Sequence, residues 1–389
     1  MAGDQARRIG LVALGATLGV VALAAGASIA RLAAGARDLV TPPPPWRSGR
    51  LLAIGDGEVT LTRNADTSLP GRYGMWTDDD RGYAKVGEVL RADAHSVTRE
   101  LIAVEDEPWA PGLVVRMGAA YYRSPAELGV PVDDVLIRTP LGPAPAWRVS
   151  APEGASGEHW AILVHGRDAA RWETIRAVPT FRAAGLTTLI VSYRNDRGAP
   201  AAPDGKYHLG DREWYDVEAA IAYARAAGAM RITLMGWSMG GGIVLQTLRR
   251  SPLAGLVDRV VLDSPAVDWR AVIRLILDRR GVPAFLQPVF RAMLSTSRGA
   301  ALIGLDEPID LDQLDSVAAA QELHVPILVL HSRADDVAPV VAVRALAAAR
   351  PDIVTLEEFP SAGHVRLWNR YQERYESVLG EWLERTQRA

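Results

Sequence analysis

The chain has 389 residues, 49% hydrophobic and 23% charged, a globular composition with room for one large domain plus an appendage, or for two domains, and unlike a disordered chain. Its formal net charge of −3 gives no electrostatic reason to expect a nucleic-acid partner. It contains no cysteine, which excludes disulfides, thiolate metal sites, a cysteine nucleophile and a lipidated cysteine.

After a short tail (residues 1–8) ending in Arg7 and Arg8, Ile9 to Ala30 is an uncharged run of 22 residues closed by Arg31. About 20 apolar residues span the hydrocarbon core of a bilayer, so residues 9–30 are expected to form a transmembrane anchor. A cleaved signal peptide is the alternative, because Ala25-Gly26-Ala27 is an A-x-A type cleavage site. Flanking charge does not settle orientation, since Arg31, Arg37, Arg47 and Arg50 answer Arg7 and Arg8; we lean to an outward catalytic domain. Residues 31–50, with Thr41-Pro-Pro-Pro-Pro-Trp46, are expected to be a stiff polyproline linker.

Residues 51–127 read as short β-like runs between turn clusters: Val59 and Leu61 alternate with Thr60 and Thr62, Pro70-Gly71 and Asp78-to-Gly82 punctuate, and Gly112 to Tyr122 is strand-like. This predicts a small β-rich accessory region. It is too short for a propeller, which needs at least four blades of roughly 40 residues. Residues 128–389 then alternate strand and helix. Val132–Arg138 and Ala144–Ser150 form an opening antiparallel pair; Trp160–Val164, Leu186–Tyr193, Val257–Leu262, Val325–Leu330 and Ile353–Phe359 are buried strands. Arg171–Ala184, Asp211–Ala227 and Val365–Arg385 read as helices. The pattern predicts an α/β fold with a mostly parallel sheet flanked by helices. An insert at about 266–318 carries helical patterning at Val272–Leu277 and Phe285–Leu294 and is expected to cap the carboxyl ends of the strands.

Within this alternation, Arg231 to Leu245 stands apart. A β-compatible run climbs to Gly236-Trp237-Ser238-Met239-Gly240 and passes into a helix-length apolar segment. That is G-x-S-x-G in a strand–turn–helix context, which lifts the hydroxyl of Ser238 clear of the sheet. Gly236 and Gly240 are required where strand and helix nearly touch.

With these motifs the chain resembles the α/β-hydrolase superfamily from about Val132 to Arg385. His331-Ser-Arg-Ala-Asp335-Asp-Val-Ala-Pro339 is similar to the family's H-G-x-x-D-x-x-V-P, with Ser332 for the usual glycine and Ala338 for the usual valine. Ser361-Ala-Gly-His364 resembles its final histidine loop. The resemblance implies a triad of Ser238, His364 and Asp335; Asp336 and Asp263 are the alternative acids. A serine hydroxyl is a poor nucleophile at neutral pH, so His364 must accept its proton while the carboxylate fixes the imidazole tautomer. By the same pattern the oxyanion donors are the backbone N–H groups of Met239 and Arg167, supported by His165 and Gly166, with His165 bracing the loop. No metal or cofactor enters this chemistry. The expected activity is that of a serine hydrolase acting on a small-molecule or lipid-derived carboxylic ester. A peptidase or amidase and an acyltransferase are same-fold alternatives; a catalytically idle, membrane-anchored binding protein is the different-class rival.

Overall fold

The computed structural model describes residues 26–43, 47–77, 81–105 and 109–387. Most of the expected anchor, residues 9–25, therefore lies outside the described residues, as do Pro44 to Trp46 and Asp78 to Asp80. Among the described residues no helix is long and apolar enough to cross a membrane.

The first described element corrects the expected linker. Residues 26–40 form a helix, α1. Leu32, Ala33, Ala36, Leu39 and Val40 are buried, a stripe with helical spacing that the proline run had overshadowed. Each such Leu or Val contributes about 1.5–3 kcal/mol of burial, enough to hold α1 against the body of the protein. Its end is fastened by polar contacts: Arg167 Nη1 donates to the carbonyl of Leu39 (3.2 Å) and Lys206 Nζ to Thr41 Oγ1 (2.8 Å).

Six strands follow: β1 (Gly49–Gly55), β2 (Glu58–Thr62), β3 (Tyr73–Thr77), β4 (Tyr83–Ala92), β5 (Ser96–Glu105) and β6 (Val114–Gly118). The expected β-rich region is a closed antiparallel barrel in the order β1-β2-β5-β4-β3-β6, with β6 pairing back to β1. Closure removes the open edges that a six-strand sheet would expose. Alternating residues such as Leu51, Leu61, Met75 and Val97 fill the interior. The buried Arg99 guanidinium satisfies one end, donating to the carbonyls of Thr67, Leu69, Gly71 and Gly87 at 2.6–3.0 Å.

The remainder is built on an eight-stranded sheet. Its elements are β7 (Val132–Thr139), β8 (Gly142–Val149), β9 (His159–Val164), α2 (Val178–Ala183), β10 (Thr187–Val191), α3 (Trp214–Ala226), β11 (Arg231–Trp237), α4 (Met239–Arg250) and β12 (Val257–Asp263). Then come α5 (Trp269–Arg279), α6 (Gln287–Ser295), α7 (Ser297–Ile303), β13 (Ile327–Ser332), α8 (Val340–Ala349), β14 (Val354–Phe359), α9 (Leu367–Arg370) and α10 (Gln372–Gln387). The strand order is β14-β13-β12-β11-β9-β10-β8-β7. Strands β9 to β14 are mutually parallel, and β8 and β7 close the sheet as an antiparallel pair. Successive β9 residues point into opposite cores: Ile162 and Val164 face α1, α3 and α4, and Ala161 and Leu163 face α2 and α10. Both faces are dry, hence the continuous apolar strands.

Two helices differ in detail from expectation. Arg171 to Ala177 is a 3-10 turn before α2. The closing helix is broken at Tyr371 into α9 and α10. The insert after β12 holds three helices, α5 to α7; it packs beside α1 and α4 and reaches the loop after β13 where Arg279 Nη1 donates to the carbonyl of Asp336 (2.7 Å).

Candidate active site

The turn between β11 and α4 puts Ser238 at φ 50°, ψ −117°, a conformation sustained only when the surroundings over-determine it. They do so here. The Ser238 amide donates to the Asp263 carbonyl, and its own carbonyl accepts from Gly241 and Ala266, each at 3.0 Å. A Cβ on Gly236 would lie 2.3 Å from the Gly240 carbonyl oxygen, and one on Gly240 2.2 Å from that of Val164. No side chain fits at either position.

The loop after β13 carries Asp335. Its Oδ1 accepts from the amides of Val337 (2.9 Å) and Ala338 (2.8 Å). Ser332, the departure from glycine, links two loops: its Oγ accepts from the amides of Ala334 (3.1 Å) and Ala362 (3.0 Å). It thereby ties the acid loop to the histidine loop after β14. His331, on the same strand, is buried, with Nε2 3.1 Å from the Ala338 carbonyl oxygen.

These three strand ends bring Ser238, His364 and Asp335 together. His364 Nε2 is 2.8 Å from Ser238 Oγ, and His364 Nδ1 is 2.8 Å from Asp335 Oδ2. The Asp335 carboxylate is fully buried and the His364 side chain 16% exposed, so solvent reaches the histidine and not the acid. Burial pushes the Asp335 carboxyl up, but the facing His364, with His331 and the loop amides, outweighs it and holds the group below its ordinary value.

Asp336 pairs with Arg279 (3.2 Å) and faces away. Asp263 is also buried, but its oxygens accept from Ser264 Oγ and the Tyr375 hydroxyl, each at 3.0 Å. Ser264 Oγ in turn accepts from the amide of Val365 (3.2 Å), so Asp263 supports the histidine loop from beneath. Ser264 and Val365, like Asp168, Asn195 and Ser238, hold positive φ without being glycine. Strain is thus concentrated around the carboxyl ends of the strands.

On the other side of the serine, Gly166 packs so closely that a Cβ there would lie 3.1 Å from Ser238 Cβ. Met239 is the first residue of α4 and Arg167 follows Gly166. Among the described residues neither N–H is paired with a protein acceptor. His165 is buried beneath this loop, stacked on Tyr193 at 4.3 Å between centroids. Its Nδ1 is 2.8 Å from the Gly166 carbonyl oxygen and its Nε2 is 2.7 Å from Asp196 Oδ2. Both partners are acceptors, which favours an imidazolium. Burial lowers the His165 pKa, but Asp196 and the two hydrogen bonds raise it further, for a net upward shift. Asp196 was not singled out from sequence. Its position just past β10, on the strand beside β9, was the available signal.

Arg194 is internally paired, with Nε and Nη2 2.8 and 3.0 Å from the Asp216 carboxylate. Arg167 turns its guanidinium to Asp168 (2.6 Å) and the end of α1. Away from the triad, Asp204, His208 and Asp306 bring one ring nitrogen and two carboxylate oxygens within 4.8 Å of one another, the grouping among the described residues that could hold a metal ion. A cleft of about 260 Å³ lies between barrel and sheet domain, with Trp76 and Arg116 on the barrel side and Asp168, Ala170, Trp172 and Tyr207 opposite. The triad does not line it. It shares with the triad the loop that runs on from Gly166.

A mostly parallel sheet with helices on both faces, and a serine on a strained strand-to-helix turn at a central strand, define the α/β-hydrolase class of protein. The chain belongs to the Alpha/beta hydrolase family, whose profile matches residues 161–377. The barrel matches a domain of unknown function over residues 50–118. Among solved structures, an esterase of Pyrococcus furiosus is 18% identical, with 68% of this chain and 94% of that chain covered and a TM-score of 0.52. A Butyrivibrio proteoclasticus protein with ferulic acid bound is 15% identical, with 66% and 100% covered and a TM-score of 0.50. At these identities the likeness is one of fold. Comparison with curated protein sequences finds no match.

Proposed function

We propose that this protein is a serine hydrolase that cleaves a carboxylic ester through an acyl-enzyme. The observation that carries the reading is the continuous Ser238–His364–Asp335 relay, with both contacts to His364 at 2.8 Å. In this mechanism Ser238 Oγ attacks the ester carbonyl carbon and His364 Nε2 takes its proton. The carbonyl electrons move to oxygen, and the Met239 and Arg167 N–H groups donate to it. Each such donor is worth on the order of 3 kcal/mol of barrier. Collapse expels the alcohol, protonated by His364, and leaves acyl-Ser238. A water, deprotonated by His364, then releases the acid and restores the serine. Asp335, held ionised, keeps the proton of neutral His364 on Nδ1 and stabilises the imidazolium.

In this reading the insert at 266–318 caps the edge of the site, and the uncharged run from Ile9 tethers the enzyme to a membrane. Lipid-derived esters are then within its reach. A fluorophosphonate probe is expected to label the folded wild-type chain and not Ser238→Ala. Absence of labelling on folded wild type overturns the proposal, whatever the substrate.

A further inference from the structure

The helical insert is segregated by charge. Between Trp269 and Ile303 there are six arginines (Arg270, Arg274, Arg279, Arg280, Arg291 and Arg298) against one acid, Asp278. Residues 304–318 reverse this, with five acids and no base. Three of these acids are paired at the surface: Glu307 with Arg212, Asp306 with His208 (3.3 Å) and Asp312 with Arg270. Arg279 is taken by Asp336. Arg274, Arg280, Arg291 and Arg298 make no ion pair among the described residues, in a chain whose net charge is −3.

Two of these four converge. Arg274 on α5 and Arg291 on α6 line a groove of about 400 Å³ between the two helices, together with Arg270, apolar Ile273 and Leu277, and one carboxylate, Asp278, which accepts from Gln287 Nε2 (2.6 Å). Guanidinium groups flanking such a groove suit the planar, bidentate recognition of phosphate oxygens. The helices around it also expose apolar side chains that a soluble surface gains nothing from: Phe285 is 77% exposed, Leu302 on α7 52% and Val289 on α6 38%. Phe285 and Val289, four residues apart, follow the groove residues Ala284 and Pro288 in sequence. Exposed aromatic and aliphatic side chains among unpaired arginines are the signature of a surface that lies in the headgroup layer of an anionic bilayer.

The chain's path points to the same occupant. Helix α1 packs directly on this insert: a Cβ on Gly35 would lie 3.2 Å from Arg280 Nη1 and 3.5 Å from Phe290, and Arg37 Nη2 donates to the carbonyl of Leu302 (3.0 Å). The uncharged sequence from Ile9 leads straight into α1. If that run is held in a membrane, as proposed above, the bilayer meets the chain next to α1 and the insert packed on it.

We propose that the α5–α6–α7 face is a bilayer-docking surface, with the Arg274–Arg291 groove binding the phosphate of an anionic lipid headgroup. The inference rests on the membrane tether proposed above but not on the ester-hydrolase chemistry.

The lack of native cysteine makes the test direct. The full chain with Val289→Cys, which leaves Phe285 in place, is labelled with an environment-sensitive fluorophore and reconstituted in phosphatidylglycerol-containing or pure phosphatidylcholine vesicles. Met230→Cys, 66% exposed at the amino end of the central strand β11, serves as control. Emission from position 289 should shift to shorter wavelength in anionic vesicles only, with the control unmoved. Arg274→Gln with Arg291→Gln should lower the inserted-to-free ratio about 30-fold, because each basic side chain near an anionic surface contributes a factor of about five. Circular dichroism melts establish that the variants are folded without reference to activity. The proposal is overturned by an aqueous spectrum in anionic vesicles, by an equal shift in phosphatidylcholine or at the control position, or by a shift that survives the double variant. It is overturned equally if inorganic phosphate in detergent reproduces the shift, which would make free phosphate the ligand.

Discussion

Arg72 and Asn369 exchange hydrogen bonds across the boundary between barrel and sheet domain. The Arg72 amide donates to the Asn369 carbonyl (3.0 Å), and the Asn369 side-chain amide donates back to the Arg72 carbonyl (2.7 Å) and to that of Ala119 (2.9 Å). The Asn369 Oδ1 accepts from buried Arg176 (3.1 Å), whose guanidinium lies 5.7 Å from the ring of Trp237, next to the serine. Asn369 sits on α9, the short helix that closes the histidine loop. The barrel is therefore clamped to the element that fixes His364.

Replacing Asn369 by alanine strands the Arg72 carbonyl and a buried guanidinium N–H, while the Ala119 carbonyl keeps Arg176 Nη1 (3.3 Å). Each buried group left without a partner costs about 1–3 kcal/mol, so denaturant melts should show a loss of about 3 kcal/mol. Turnover is expected to fall even where the variant is fully folded, because the histidine loop loses its outer support. Unaltered turnover in folded Asn369→Ala would reduce the clamp to a purely structural contact.

The two buried aspartates make opposite predictions. Asp335→Asn deprives His364 Nδ1 of its carboxylate, and turnover should drop about 10⁴-fold, as expected for a wrong tautomer. Asp263→Asn keeps acceptors or donors for Ser264 and Tyr375 and is expected to retain most of its activity. A reversal of these results in steady-state assays would move the acid to β12. The sign with pH is also fixed. The Asp335 carboxyl is held below its ordinary value by His364 and the loop amides against the effect of burial. Its stabilisation is present above the unfolded value of about 3.9 and is lost as pH falls through the folded one.

How far the sequence carries can be judged residue by residue. The parallel sheet was legible because fully covered strands such as Trp160–Val164 are continuously apolar. The elbow was legible because only glycine fits at 236 and 240, as their distances to neighbouring backbone require. The barrel was legible as β-structure but not as closed, since closure rests on two register pairs, Gly49 with Val115 and Arg50 with Val114, which no local pattern encodes. Helix α1 was hidden because a proline run drew residues 31–40 into a linker, although the stripe of Leu32, Ala36, Leu39 and Val40 was there to be read. Asn369 carries no local signal, and Asp196 only its place at the end of the strand beside β9. Their partners are 297 residues away at Arg72 and 31 away at His165.

The cleft between the domains gives a specificity prediction. Trp172 stands in it opposite Trp76 of the barrel and packs against the cluster of Trp76, Tyr83 and Ala120. It follows the loop that approaches Ser238 at Gly166. If the distal part of the substrate occupies this cleft, Trp172→Ala enlarges it and shifts preference toward bulkier esters. Burial of one additional methylene is worth about 0.8 kcal/mol, roughly fourfold in kcat/KM. A panel of p-nitrophenyl esters of increasing chain length checks this; an unchanged length profile would place the substrate elsewhere.

Asp168 makes the last prediction. It lies in the same cleft, next to Arg167, with Oδ1 buried and unpaired in the structure and φ at 64°. Burial pushes its carboxyl up to about 6, outweighing the pull of Arg167. Because the folded value lies above the unfolded value of about 3.9, the folded state holds the proton more tightly. Stability from this group is complete below pH 4 and is lost as pH rises through about 6. A shift of this size corresponds to about 2–3 kcal/mol of destabilisation at pH 7. Asp168→Asn suits the left-handed backbone, which asparagine tolerates, and removes the charge. Melting curves from pH 4.5 to 7.5 should show the variant gaining on wild type as pH rises, most steeply around pH 5 to 6. Parallel curves would mean that Arg167 neutralises Asp168 and that the cleft presents an ion pair to its ligand.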